Sequence, residues 1–246
     1  MARCRGSAFT QSSRRAVRLS SRRCGSLCSR NSTEVPRVDR RLIWFCALLT
    51  PVLGWSLVRP HDYFTWFLEV APVLMGLPLA LAVQRRFPLS MLLLVLLWWH
   101  SVVLIVGGHY TYARVPLGDW MSHWFGWSRN NYDKIGHFAQ GFVPAILVRE
   151  ILLRTSPLRD QGDGRPSRWV GFLAGSVCLT FSAFYELVEW RVAVASGTAA
   201  DDFLGTQGDP WDTQSDMAWA LTGAVCALVL LARWHDRSLG KLLTRR

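Results

Sequence analysis

Six stretches of this sequence are apolar and long enough, or nearly long enough, to cross a lipid bilayer as helices. A transmembrane helix needs about 20 predominantly apolar residues, and 50% of the chain is hydrophobic. The stretch MLLLVLLWWHSVVLIV shows the pattern most plainly. The sequence therefore predicts an all-α polytopic membrane protein, a bundle of about six transmembrane helices in the lipid bilayer. The predicted spans cover about residues 42–58, 63–83, 88–107, 135–153, 169–195 and 215–231.

Basic residues are concentrated in alternate connections between these spans. The N-terminal segment, the 85–86 turn, the 154–168 loop and the C-terminal end are rich in Lys or Arg, whereas the other connections are poor in both. Because cytoplasmic connections of membrane proteins carry this excess, we expect both termini to be cytoplasmic. The same distribution accounts for the net charge of +11, so nucleic acid is not an expected partner.

Three parts of the chain differ in composition. Residues 1–41 contain eleven Arg and eight Ser against only Glu34 and Asp39, and they have no apolar run. This composition predicts a disordered basic cytoplasmic tail; an organelle transit peptide, the alternative, has a similar composition. Residues 42–235 form the predicted six-helix transmembrane domain, and residues 236–246 form a predicted basic cytoplasmic C-terminal tail.

Two carboxylates interrupt the fifth apolar stretch, in the sequence FYELVEW. Glu186 and Glu189 lie three residues apart, so they share one face of a helix. Ionisable residues inside a membrane span are costly, and they usually have a function or a partner. The structural alternative is an ion pair with Lys134 or Arg191, or a hydrogen bond that holds the helices together.

Other polar residues fall at a similar depth once the orientation is assigned. Glu69 lies in the outer third of the second span, and Asp216 lies at the outer start of the sixth. Asp133 and His137 lie one turn apart at the outer mouth of the fourth. This convergence predicts an outward-facing site of acidic residues and histidine. The candidate metal ligands are Asp133, His137, Glu186, Glu189 and Asp216; the candidate catalytic residues are His137, Glu186 and Glu189; further candidates are Glu69, Lys134 and Asp212.

Such a set of side chains suits two kinds of chemistry. Carboxylates and an imidazole can hold one divalent metal ion, or they can place a general acid beside a base, with His137 in that role. Helix capping is the alternative for Asp133, Asp209 and Asp212, because acidic residues are favoured at the start of a helix. The sequence contains no nucleophile motif, phosphate-binding loop or dinucleotide fingerprint, so whether the protein is an enzyme stays open.

Three motifs carry a resemblance to a known family. YDKIGHFAQGFVPA, FYELVEW and DDFLGTQGDPWDTQSDM, spread over about residues 42–235, resemble the bacterial inner-membrane proteins typified by YjdF. The resemblance implies a six-helix, multi-pass protein of the bacterial inner (plasma) membrane, and it implies no particular activity or ligand.

A more distant resemblance is to VanZ-like membrane proteins, whose early signature is DK-x-x-H-F. Asp133, Lys134, His137 and Phe138 match this signature, and Asp216 and Gly223 match the later part, although Ala220 stands where that pattern tends to have Asn. This resemblance implies an envelope role that involves lipid or cell-wall precursors.

Three classes of function follow from these observations. The first is a membrane protein whose outward-facing site binds a divalent cation or a lipid head group in an envelope-related role. The second is a proton- or cation-coupled transporter of small solutes, in which Glu69, Glu186 and Glu189 would form the relay. The third is a structural or regulatory membrane subunit, in which the polar groups only hold the bundle together.

Overall fold

The computed structural model describes residues 40–159, 166–196 and 206–244. These residues form seven α-helices and one short 3-10 turn, and they contain no β-strand. The predicted disordered tail lies outside the described residues except for Arg40 and Arg41, which begin the first helix. The helices are α1 (Arg40–Ser56), α2 (Tyr63–Val83), α3 (Met91–Tyr110), α4 (Pro116–Phe125), α5 (Tyr132–Thr155), α6 (Arg168–Ser196) and α7 (Asp212–Leu243).

Five of these helices, α2, α3, α5, α6 and α7, are long and apolar enough to cross a membrane. Helix α1 has 17 residues, about 26 Å at 1.5 Å per residue, which is shorter than a hydrocarbon core of about 30 Å. It packs on α2 and α3, because Leu49 is buried with Trp66 and Ile105. The predicted all-helical polytopic bundle is confirmed, and the predicted count of about six spans is approximate.

Local sequence signals determine several helix ends. The Asp62 carboxylate accepts a 2.6 Å hydrogen bond from the Thr65 amide and so caps α2. Ser90 caps α3 in the same way by accepting a hydrogen bond from the Leu93 amide. Helix α3 ends where Thr111 adopts the left-handed conformation, with φ of 57°. The two side-chain caps bind backbone amides that have no partner inside their helices.

Helices α5 and α7 touch through their backbones at the centre of the bundle. A Cβ atom on Gly141 would lie 1.7 Å from the carbonyl oxygen of Ala220, and one on Gly223 would lie 2.0 Å from that of Phe138. Small residues at helix contacts allow such an approach in membrane proteins. The fully buried Ala224 continues the small face of α7, so α5 and α7 form the closest helix pair of the site described below.

Helix α7 extends well beyond the predicted sixth span. It continues to Leu243, so most of the segment predicted as a C-terminal tail is helical. The extension is stabilised by burial, because Leu239 and Leu242 pack against Leu153 of α5 and Val170 of α6.

The connection between α3 and α5 contains the short helix α4. Trp120 and Trp124 of this helix are exposed and lie against each other, as is typical of the membrane interface. The Asn130 side-chain amide joins α4 to the start of α5, because it donates hydrogen bonds to the Val115 carbonyl and the Asp119 carboxylate. This junction lies next to the candidate site.

Candidate functional site

Two basic side chains bind the aspartates at the start of α5 and α7. The Lys134 Nζ atom donates hydrogen bonds of 2.7 Å to Asp212 and 2.8 Å to Asp216. The Arg129 guanidinium bonds to Asp212 at 2.8 Å, to Asp133 at 2.5 Å and to Asp209 at 3.2 Å. Four aspartates therefore share two positive charges.

Sequence analysis did not identify Arg129 as part of the site. It lies in the connection before α5, where a single Arg carries no periodic signal. Burial disfavours its charge, but the Asp133 and Asp212 carboxylates outweigh burial and raise the pKa of Arg129 above its ordinary value. Arg129 is therefore a permanently charged component of the end of the bundle at which α5 and α7 begin.

The N-cap residues of α5 and α7 are Asn131 and Trp211, and neither makes a side-chain capping hydrogen bond. The side chains of Asn130 and Asp209 accept hydrogen bonds from the amides of Tyr132 and Trp211, two residues on, just ahead of each helix. Asp212, by contrast, bonds to both basic side chains. Asp133 combines the two roles, because it pairs with Arg129 and also accepts a hydrogen bond from the Lys134 amide.

His137, Glu186 and Asp216 meet from three different helices. The His137 Nε2 atom lies 3.6 Å from Asp216 Oδ2 and 3.9 Å from Glu186 Oε1. One ligand atom from each residue falls within 4.8 Å of the other two. Glu186 is only 7% exposed and Asp216 only 3%. These separations are too long for direct hydrogen bonds and short enough for the three groups to share a ligand.

Two atoms of this triad are buried without a hydrogen-bond partner among the described residues. They are Glu186 Oε1 and His137 Nδ1. Neither Glu186 nor Glu189 forms an ion pair with Lys134 or Arg191 in the described part of the chain. An ion pair with either basic residue therefore does not explain the two glutamates.

Two further carboxylates, Glu69 of α2 and Glu189 of α6, are buried as well. The Tyr185 hydroxyl donates a 3.1 Å hydrogen bond to Glu69 Oε2, which joins α6 to α2. Tyr112, which follows α3, is 9% exposed. Burial first, and then the charges of Glu69 and Glu189, raise the pKa of Tyr112 well above its ordinary value. The tyrosines were not predicted, because aromatic residues in these segments are equally typical of the membrane interface.

A second polar cluster lies at the opposite end of α5. The fully buried Glu150 accepts hydrogen bonds from the Ser90 amide, Arg154 and His235. Arg149 lies 2.6 Å from His235 Nδ1. Because arginine can only donate, His235 Nδ1 accepts this bond and its Nε2–H group donates to Glu150. Sequence analysis did not identify His235 as part of such a cluster.

Comparisons with known proteins agree with the predicted resemblance. The family model described as Predicted membrane protein (DUF2238) matches residues 41–237. Inner membrane protein YjdF of Escherichia coli (strain K12) is 52% identical over 191 residues, which cover 78% of this chain and 88% of that protein. No solved structure matches the chain. The resemblance to VanZ-like proteins stays a prediction. The chain is thus a multi-pass integral protein of the inner membrane and belongs to the DUF2238 family of predicted membrane proteins.

Proposed function

We infer that the protein binds one divalent cation at the outer end of the bundle, through His137, Glu186 and Asp216. The observation that carries this proposal is the convergence of the three side chains from α5, α6 and α7, with Glu186 Oε1 buried and lacking a hydrogen-bond partner among the described residues. A buried carboxylate oxygen without a hydrogen bond is costly, and a metal ion would provide the missing partner.

The charge balance favours a cation over an anion. Arg129 and Lys134 are already shared among four aspartates, so these basic groups are not left to bind a phosphate by themselves. Glu69, Glu186 and Glu189 add further carboxylates to the same end of the bundle. A divalent ion reduces the repulsion among these buried groups.

The donor set fits a small divalent metal ion. Bonds of about 2.0–2.2 Å to imidazole nitrogen and carboxylate oxygen at tetrahedral angles place the ligand atoms about 3.3–3.6 Å apart. The separations of 3.6 Å and 3.9 Å to His137 Nε2 are close to this range, and the Glu186 and Asp216 ligand atoms lie within 4.8 Å of each other. Imidazole and carboxylate ligands suit Zn²⁺ and Mn²⁺. Three protein ligands leave one coordination position open for an external oxygen atom, such as one from a lipid phosphate. A metal ion held by the three residues would act as a Lewis acid towards that oxygen atom.

Calorimetry on the full chain in detergent tests this proposal. After chelation and dialysis, we expect one Mn²⁺ or Zn²⁺ ion to bind per chain, and we expect Glu186→Gln to weaken binding at least tenfold. The matched control is Asp236→Asn, which changes a half-exposed carboxylate at the opposite end of the bundle. Equal metal affinity in folded Glu186→Gln and in the original chain would falsify the proposed site.

A purely structural role for the polar groups makes a different prediction for the same variants. In that case neither the original chain nor Glu186→Gln binds a metal ion, and the substitution only reduces the folded yield. Circular dichroism and size-exclusion chromatography on each variant therefore accompany the calorimetry. A folded variant with specifically reduced metal affinity separates the binding role from the structural one.

A further inference from the structure

A narrow groove runs between α1 and α3 on the surface of the bundle. Four residues of α1 line it, at Arg41 and at the positions three, four and seven residues later, and four residues of α3 follow the same spacing from Met91 to Trp98. This spacing selects one face of a helix. About two turns of each helix therefore form the two walls of the groove.

The groove lies in the half of the bundle opposite the proposed cation site. It starts where α3 starts, and the amide of Ser90, just before α3, donates a hydrogen bond to Glu150. Glu150 lies on α5 thirteen residues after His137, about 20 Å further along the helix axis. An inference about the groove therefore does not depend on metal binding at the other end.

The dimensions of the groove match a hydrocarbon chain better than a protein helix. Its volume is about 200 Å³, and the rise from Arg41 to Leu48 is about 10 Å, so its mean cross-section is about 20 Å². A helix with its side chains is about 10–12 Å across, which is a cross-section of roughly 80–110 Å². The length of the groove is about two thirds of one leaflet, since the whole hydrocarbon core is about 30 Å thick. An acyl chain lying along the helices fits this space.

The walls of the groove face the lipid. Trp44 and Leu48 of α1 and Val95 of α3 are exposed, whereas Leu94 between them is buried. Helix α3 is long and apolar enough to cross the membrane, so exposed apolar side chains on it contact hydrocarbon and not water. A lipid can therefore enter the groove from the side.

Arg41 places a positive charge at one end of the groove. Among the described residues that line the groove, Arg41 alone carries a charge, and it is half-buried. Arg40 precedes it, and Arg85 and Arg86 lie in the connection that leads to α3. Basic groups beside the end of a membrane helix attract anionic head groups, and a guanidinium group can bind phosphate through two parallel hydrogen bonds. An apolar groove with an arginine at one end is complementary to an acyl chain that carries a phosphate.

We propose that the groove between α1 and α3 binds one acyl chain of an anionic phospholipid, whose phosphate group pairs with Arg41. The distribution of Lys and Arg predicts that this end of the bundle is cytoplasmic, so the lipid comes from the cytoplasmic leaflet, whose surface is negatively charged. The choice of a lipid chain over a second protein helix follows from the small cross-section of the groove and from its charged end.

Native mass spectrometry, which counts the lipids that each protein chain retains, tests the charged end of the groove. The delipidated full chain in detergent is titrated with dioleoyl phosphatidylglycerol and with dioleoyl phosphatidylcholine, which have the same acyl chains and differ in net charge. We expect one phosphatidylglycerol per chain, bound at least fivefold more tightly than phosphatidylcholine. Arg41→Gln should reduce this ratio to below twofold. Arg40→Gln, at an exposed position that does not line the groove, is the matched control and should keep the ratio.

Filling the groove with a larger side chain tests the binding of the acyl chain. Val95→Phe places a ring in the groove from an exposed position, so we expect a folded protein that binds both lipids at least fivefold more weakly. Val225→Phe, at an exposed position on α7, is the matched control and should bind both lipids as the original chain does. Circular dichroism and size-exclusion chromatography verify that each variant is folded.

Three results would overturn this inference. The first is equal affinity for the two lipids, or a preference for phosphatidylglycerol that Arg41→Gln leaves intact. The second is an equal loss of preference in Arg41→Gln and Arg40→Gln, which would indicate attraction to the charged surface and not binding in the groove. The third is a lipid-free dimer that Val95→Phe dissociates, because a second copy of the chain would then occupy the groove. None of these results changes the Mn²⁺ affinity expected for the proposed cation site.

Discussion

The Nζ atom of Lys134 lies 2.8 Å from Oδ1 of Asp216, which joins the first turn of α5 to the second turn of α7. The other oxygen of Asp216 faces His137. One carboxylate therefore takes part both in the ion-pair network and in the proposed cation site. This shared residue couples the stability of the α5–α7 pair to the geometry of the site.

Removing the Lys134 charge should destabilise the protein strongly. Lys134→Met leaves the buried carboxylates of Asp212 and Asp216 without their nearest cation, and we expect a loss of about 3–5 kcal/mol in the free energy of unfolding. Unfolding by SDS in mixed micelles measures this loss. Lys241→Met, at an exposed position on α7, is the control and should change stability little. Similar losses of unfolding free energy in the two variants would show that the buried ion-pair network contributes nothing to stability.

The close approach of α5 and α7 should not tolerate a side chain. Gly141→Ala places a Cβ atom 1.7 Å from the Ala220 carbonyl oxygen, so the helices must separate, and we expect a sharp fall in folded yield together with weaker metal binding. Gly175→Ala on α6 is the matched control, because no atom lies within 4 Å of the added Cβ. It should be neutral or stabilise the helix by up to about 1 kcal/mol. Equal yields from the two variants would contradict the observed helix contact.

The cluster of Glu150, Arg149 and His235 should contribute to the stability of the protein and not to metal binding at the candidate site. His235→Ala removes the hydrogen bonds that link Glu150 and Arg149, and we expect a loss of about 1–3 kcal/mol in the free energy of unfolding. Metal affinity of the folded variant should be unchanged. His123→Ala on α4, where the histidine is exposed, should have little effect on stability. A change in metal affinity with His235→Ala would show that the two ends of the bundle are coupled.

The orientation in the membrane can be tested by cysteine labelling. Trp211→Cys and Lys241→Cys place thiols at exposed positions at the two ends of α7, in a background from which the natural cysteines are removed. Because Lys and Arg are enriched on the cytoplasmic side, we expect a membrane-impermeant maleimide to label Trp211→Cys in intact cells and Lys241→Cys only after lysis. The reverse pattern would place the candidate site on the cytoplasmic side.

The helices were largely predictable because they depend on local sequence. Apolar runs of sufficient length form membrane helices wherever they occur, since the backbone must form its hydrogen bonds internally in lipid. The depth expected for Glu69, His137 and Glu186 rests on helix rise and charge distribution alone, and it stays a prediction. The far end of α7 was not predictable in this way, because it depends on burial of Leu239 and Leu242 against other helices.

The sequence by itself determined the membrane class of this protein, the positions of its long helices and the family to which it belongs. Only the tertiary structure decided which charges meet. It paired Lys134 and Arg129 with the aspartates, and it brought His137, Glu186 and Asp216 together from three helices. It also packed the Tyr112 ring between Gly107 and Gly136, next to a left-handed turn. The physical reason is that hydropathy and periodicity act along one segment, whereas the rotation and contact of helices depend on close packing between segments distant in the chain.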